Sequence, residues 1–142
     1  MTGEEVKSNI VSALSELYNY DFDLIKIKAE EESITAQLIC YLKPRFNPWN
    51  VDVEYNRDGK NIKRDSEGNQ IFPDIIIHHR TPGQEKRNSP ENNLVAIEIK
   101  GYWNLKDRGL DKVKLIDMKN YYGYQYLFRI ELGVKMASLV QV

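Results

Sequence analysis

Ile71-Phe72-Pro73-Asp74-Ile75-Ile76-Ile77-His78 and, one polar spacer later, Leu94-Val95-Ala96-Ile97-Glu98-Ile99-Lys100 set the frame for the whole chain. Both stretches are short, rich in β-branched residues and bounded by turn-formers, the pattern of buried strands. The spacer, residues 80–93, is polar and holds Pro82, Gly83 and Pro90, so it reads as a loop. Two consecutive strands of this kind pair most simply as an antiparallel hairpin.

Antiparallel pairing sets the start of the first strand against the end of the second. Asp74 opens one and Glu98 and Lys100 close the other. Because side chains alternate, Glu98 and Lys100 share a face while Ile97 and Ile99 take the opposite one. Three charges are therefore expected to meet at one end of a sheet. Two carboxylates in apolar surroundings repel each other and are costly to desolvate unless a cation lies between them. A hard divalent ion held by oxygen ligands, Mg²⁺ in the usual case, meets that need. The lysine is then a donor beside whatever the ion activates. The plain alternative is a strand-end salt bridge with no ligand.

Pro73-Asp74, a spacer and Glu98-Ile99-Lys100 resemble the core motif of the PD-(D/E)XK nuclease superfamily, the restriction-endonuclease-like fold. Glu-x-Lys alone arises often by chance; the preceding Val-Ala-Ile and the upstream Pro-Asp-Ile-Ile-Ile carry what specificity the match has. The resemblance implies a mixed α/β protein whose central mixed sheet of four to five strands is flanked by helices. Its core order would be α-β-β-β-α-β, with an extra helix at the N-terminus. It also implies Mg²⁺-dependent hydrolysis of phosphodiester bonds in nucleic acid, DNA above all, with Mn²⁺ able to substitute. Carried onto this chain, Asp74, Glu98, Lys100 and Glu31 are the catalytic set, and Asp74, Glu98 and the Ile99 carbonyl hold the metal, with Glu31 helping directly or through water. Many members carry a glutamate on the helix before the first core strand that helps hold the metal or its waters; Glu31 matches that place. The run Glu54-Tyr55-Asn56-Arg57, with Lys63-Arg64 shortly before Pro73-Asp74, is similar to small stand-alone members. There Arg57, Lys63 and Arg64 would touch phosphate or buttress the site. The helix after the lysine often borders the nucleic-acid channel, which makes Lys112, Lys114 and Lys119 candidates. A second reading keeps the fold and drops catalysis, leaving a module that binds nucleic acid or a protein partner.

Outward from this motif, the 142 residues read as one domain with enough chain to bury a core unaided. Residues 1–30 form an accessory N-terminal helix, 31–132 the core, and 133–142 an edge strand or a homodimer contact. A composition 42% hydrophobic and 29% charged is that of a soluble globular protein. No stretch approaches the ~20 apolar residues of a membrane span, and the first residues lack a secretory pattern. A cytoplasmic location and no membrane partner are the expectation. The single Cys40 excludes an internal disulfide and a thiolate zinc cluster. A net charge of −1 argues against indiscriminate nucleic-acid binding. The charge is uneven, however: residues 1–32 carry eight acidic and three basic side chains, leaving the rest of the chain near +4. Basic clusters at Arg57/Lys60/Lys63/Arg64, Arg80/Lys86/Arg87 and Lys106/Arg108/Lys112/Lys114 flank the motif. They suit a phosphate backbone, although for any one cluster solvated loops or a wet helix face is the commoner reason for such a pattern.

Val6, Ile10, Leu14 and Leu17 recur at helical spacing and predict a helix over residues 4–18. Residues 23–30 fit a short turn or the lead-in to another helix. A second helix is expected over 31–42, ending before Pro44, with Ile34, Leu38, Tyr41 and Leu42 buried. Glu31 lies within that stripe and Glu32 outside it; an acid on a core-facing stripe asks for a partner, or else sits exposed at a helix start that favours it. Val51, Val53 and Tyr55 alternate with Asp52 and Glu54 in a strand over 49–56, followed by an Asp58-Gly59 hairpin turn. His78 and His79, neighbours on a strand, face opposite sides and are left out of the site. Residues 111–121 predict a helix with Val113, Leu115, Ile116 and Met118 as its apolar face. Gly123 ends it, and a strand over 124–132 follows with Tyr124, Tyr126, Phe128 and Ile130 on one face. Nothing in the sequence places a serine triad or a phosphate-cradling glycine loop.

Overall fold

The computed structural model describes residues 1–53, 57–58, 61–62, 68, 73–80, 88–106 and 108–142. Helix α1 (Gly3–Tyr20) starts under a Thr2 cap, whose hydroxyl accepts from the Glu5 N–H, with Glu4 and Glu5 favourably placed in the first turn. A short α2 (Phe22–Lys26) leads into α3 (Glu31–Phe46). Strand β1 (Asn50–Val53) follows, then a two-stranded ribbon of β2 (Arg57–Asp58) and β3 (Asn61–Ile62), the hairpin the Asp-Gly pair predicts. Next come β4 (Ile75–His78), β5 (Asn93–Gly101), α4 (Arg108–Tyr122), β6 (Tyr126–Leu132) and β7 (Ala137–Gln141). No helix among the described residues is long and apolar enough to cross a membrane.

Five strands form one mixed sheet in the order β1-β4-β5-β6-β7. The expected β4–β5 hairpin is antiparallel, with Ile75 opposite Ile97. β5 and β6 run parallel, joined by the α4 crossover, and β7 closes the sheet as an antiparallel edge. Among the described residues the molecule is thus a mixed α/β protein of four helices and a five-stranded sheet, with β5, buried on both faces, at its centre. One face carries Ile75, Ile77, Val95, Ile97, Ile99, Phe128 and Ile130 against α1 and α3. The other carries Ile76, Ala96 and Leu127 against Leu115, Met118 and Tyr122 of α4.

Three expectations needed correction. α3 continues past Pro44 to Phe46. Proline removes one N–H near the last turn, but burial of Phe46, which is fully enclosed, outweighs that loss. The α4 face is also different: Val113 and Ile116 are exposed, and the buried stripe is Asp111, Leu115, Met118 and Tyr122, at spacings of four, three and four. Strand β6 begins at Tyr126, and Tyr124 packs with the α4 cluster instead of sharing the face of Phe128. Gly123 separates them at φ 73, and a Cβ there would lie 2.7 Å from the Asn88 carbonyl oxygen, so helix end and strand start meet in a backbone shape only glycine enters freely. The predicted residues 54–56 of the first strand lie outside the described residues.

At the far end of β4, His78 Nε2 lies 2.7 Å from Asp52 Oδ2, and the Arg80 Nε donates to the same oxygen at 2.8 Å. Burial pushes the Asp52 carboxyl upward, but the Arg80 and His78 contacts outweigh it and hold it below its ordinary value. Asp52 therefore stabilises the fold above the ordinary carboxylate pKa of ~3.9, and this contribution is lost as pH falls through the lower folded value. Asp52→Asn is expected to cost about 1–2 kcal/mol at pH 7, read from urea unfolding, with the difference from the parent shrinking in acid.

Candidate metal-assisted site

The register that pairs Ile75 with Ile97 puts Asp74, just before β4, beside Glu98 of β5. Asp74 Oδ2 accepts a 2.7 Å hydrogen bond from the Ile99 N–H, which draws the start of β4 against the end of β5. On a strand, the N–H and C=O of one residue point to the same side. The Ile99 carbonyl therefore faces the same edge as Asp74, past the end of β4. Glu98 and Lys100 share the α4 face, as strand alternation requires.

Glu31 belongs to the same end of the sheet. Its Oε2 accepts from the Gly101 N–H at 2.8 Å and its Oε1 from Asn104 Nδ2 at 2.7 Å. The first residue of α3 thereby clamps the turn that follows β5. Gly101 is needed there, since a Cβ would come within 2.5 Å of the Trp103 ring. The acid on the apolar stripe has found its partner in backbone and amide donors.

From the other side, α4 contributes Asp111 and Lys114. Lys114 Nζ lies 3.0 Å from Glu98 Oε1, a close ion pair. Lys100 Nζ lies 3.8 Å from Asp111 Oδ2, a looser pair. Glu31, Asp74, Glu98, Ile99, Lys100, Leu110, Asp111 and Lys114 line a cavity of about 200 Å³. Glu31 and Asp74 also wall a larger cleft of about 700 Å³ that runs past Lys28, Trp103 and Lys106. A third hollow, of about 110 Å³, continues from Glu98 and Lys100 over Arg129 and Glu131 toward Ser138 of β7.

Glu98 is 3% exposed. Burial is the main force that lifts its carboxyl well above the usual range; Asp74 beside it adds repulsion, and Lys114 only partly offsets both. Asp111 is raised as well, chiefly by burial, with Lys100 and Lys114 opposing. Burial alone would push the Lys114 ammonium down, but Glu98 and its acidic neighbours more than compensate and raise it. Groups held this far from their ordinary state, gathered in a cavity, are characteristic of functional sites.

A raised carboxylate pKa means that the folded state resists the charge. Glu98 therefore costs stability above the ordinary glutamate pKa, in full above its raised folded value, and the cost disappears as pH falls below both. Glu98→Gln removes the buried charge while Lys114 keeps Asp74 and Asp111 nearby. In metal-free buffer at pH 7 this change is expected to raise Tm by about 2–4 °C, the shift that about 1 kcal/mol produces in a chain of this size. A thermal melt repeated in acid should show the gain vanish.

The donor set is all oxygen: two adjacent carboxylates and a backbone carbonyl, with Glu31 at the rim, which is the chemistry a hard divalent ion takes. Against this, Lys114 already occupies one side of Glu98, and Glu31 is engaged by its two donors. Among the described residues, no three His, Cys, Asp or Glu side chains are grouped closely enough to hold a metal ion as they stand. The expected residues Asp74, Glu98, Ile99, Lys100 and Glu31 thus converge, and Lys114 joins them. Lys112 and Lys119 are exposed on the outer side of α4. Lys63 and Arg64 lie outside the described residues, and of Arg57 only the backbone, in β2, is described. Asp111 was missed, although its spacing from Leu115, Met118 and Tyr122 carried the same signal that singled out Glu31: an acid in register with a core stripe.

No known protein family, curated protein or solved structure matches the chain.

Proposed function

We propose that the chain is a Mg²⁺-dependent nuclease with a restriction-endonuclease-like core, hydrolysing phosphodiester bonds in nucleic acid, DNA above all. The observation that carries this reading is the meeting of Asp74, Glu98 and Lys100 around one 200 Å³ cavity, with the two carboxyls repelling each other. In this reading Asp74, Glu98 and the Ile99 carbonyl hold the ion, and Glu31 orders the turn beside it and any water at the rim. A bound Mg²⁺ or Mn²⁺ would supply a lowered pKa for coordinated water and positive charge for the phosphate. Lys100 holds its ammonium group where it can orient the attacking water or meet charge developing on the phosphate oxygens. Its companion Asp111 keeps that group on the site side of the sheet. Lys112 and Lys119, exposed along α4, and the basic residues Arg57, Lys63 and Arg64 are candidates for phosphate contacts that position the strand. Hydrolysis of plasmid, single-stranded, branched and RNA substrates with Mg²⁺ tests the proposal. Cleavage abolished by Glu98→Ala and by Lys100→Ala is the expected outcome, and cleavage surviving both ends the proposal.

One observation favours a second reading, a catalytically inactive nucleic-acid-binding or protein-interaction module on the same fold. Lys114 stands 3.0 Å from Glu98 and offsets part of the site's negative charge without a metal. In that case nucleic acid or a partner protein binds, no substrate is cut, and calorimetry with Mg²⁺ or Mn²⁺ registers no heat.

A further inference from the structure

We propose that Lys114 is the resident counter-ion of the Asp74–Glu98 pair, and that a divalent cation enters the site by exchanging with its ammonium group. This rests on the metal reading above and adds how that site is kept when no ion is bound.

The exchange follows from where α4 places the lysine. Leu115 and Met118 are fully buried against Ile76 and Ala96, which fixes the rotation of the helix and aims the Lys114 stem at β5. The ammonium then lies 3.0 Å from a carboxylate that is 3% exposed. A monovalent ammonium and a divalent ion cannot share that side of Glu98, because both seek the same oxygen and repel each other. In the field of two adjacent carboxylates the doubly charged ion has the stronger claim. Lys114 also has somewhere to go. Asp111 sits three residues earlier on the same helix, within reach of the same side chain, and lines the same 200 Å³ cavity. Moving the ammonium from Glu98 toward Asp111 needs side-chain rotation and no change of backbone. The metal-free site is thereby held in shape by a charge of the right sign, and the ion binds more weakly than the oxygen donors alone would allow.

Calorimetric titration of the full chain with MnCl₂ tests this, using the parent protein, Lys114→Met and Asp74→Asn. Lys114→Met keeps the apolar stem and removes the competing charge, so it is expected to bind Mn²⁺ about tenfold more tightly, equivalent to roughly 1.4 kcal/mol, while Asp74→Asn loses binding. Equal or weaker binding by Lys114→Met, with heat present in the parent, overturns the exchange and leaves the metal reading standing. No heat in either protein overturns both. A measurement on the unaltered protein covers the case in which Lys114→Met fails to fold. Lysine side-chain NMR of the unaltered protein should show the Lys114 Cε–Hε signal shift on titration with Mg²⁺, with exposed Lys119 as the unchanged reference. An unshifted Lys114 signal, at Mg²⁺ concentrations that give calorimetric heat, overturns the exchange.

Discussion

Asp74→Asn is expected to lower nucleic-acid hydrolysis on the order of 10³-fold or more, the loss that follows when charge stabilisation worth several kcal/mol is removed. The substitution isolates charge from structure. Asparagine keeps a side-chain oxygen that can accept from the Ile99 N–H, the 2.7 Å bond by which Asp74 ties β4 to β5, so stability should change little. What disappears is one of the two negative charges that make a divalent ion favourable there. Lys100→Met is the companion change: it keeps the stem, removes the ammonium, and should reduce turnover on the order of 10²–10³-fold while Mn²⁺ binding persists. Single-turnover cleavage paired with Mn²⁺ calorimetry separates the two roles. If Asp74→Asn cuts as fast as the parent, the carboxylate pair is structural and the metal proposal fails.

Phe46→Ala is expected to destabilise the protein by about 3–5 kcal/mol, the largest effect on folding among these changes and a major share of a typical domain's total. Phe46 is fully buried in the main cluster, beyond Pro44 in the last turn of α3. Its ring anchors a segment that proline would otherwise release. Arg45, next to it, pairs with Glu16 of α1, and the Arg45 carbonyl accepts from Asn9 Nδ2 at 3.2 Å, so α1 and α3 lose their shared end together. Guanidinium unfolding should show a lower midpoint with an unchanged slope. A loss below about 1 kcal/mol would mean that the α3 extension contributes little.

The parts of this molecule that were legible beforehand depend on local rules. Strand alternation put Glu98 and Lys100 on one face and Ile97 and Ile99 on the other without any knowledge of the neighbours. Adjacent strands with a loop between them pair as a hairpin, and that placed Asp74 beside Glu98. Glu31 stood out because an acid on an apolar helical stripe is out of place unless something meets it. The same rule, applied to α4, would have exposed Asp111. It was obscured because Val113 and Ile116 made a wider and more apolar face look like the buried one.

Local pattern also failed where packing across the chain overrode it. Pro44 signals a helix end, and a pocket for Phe46 cancels the signal. Tyr124 fits a strand periodicity, and a glycine at positive φ moves it to the opposite side of the sheet. Lys114 reads as one of several solvated lysines on α4, yet the buried residues around Leu115 turn it toward Glu98.

From the sequence alone came the order of elements, the central hairpin and the acids that share its end, because each follows from periodicities of two or 3.6 residues acting over short distances. Which face of α4 meets the sheet, and therefore which lysine meets Glu98, was decided only by the tertiary structure. That choice is a contest between whole helix faces for one limited area of β-sheet, and its outcome depends on side chains far apart in sequence that no local pattern can weigh.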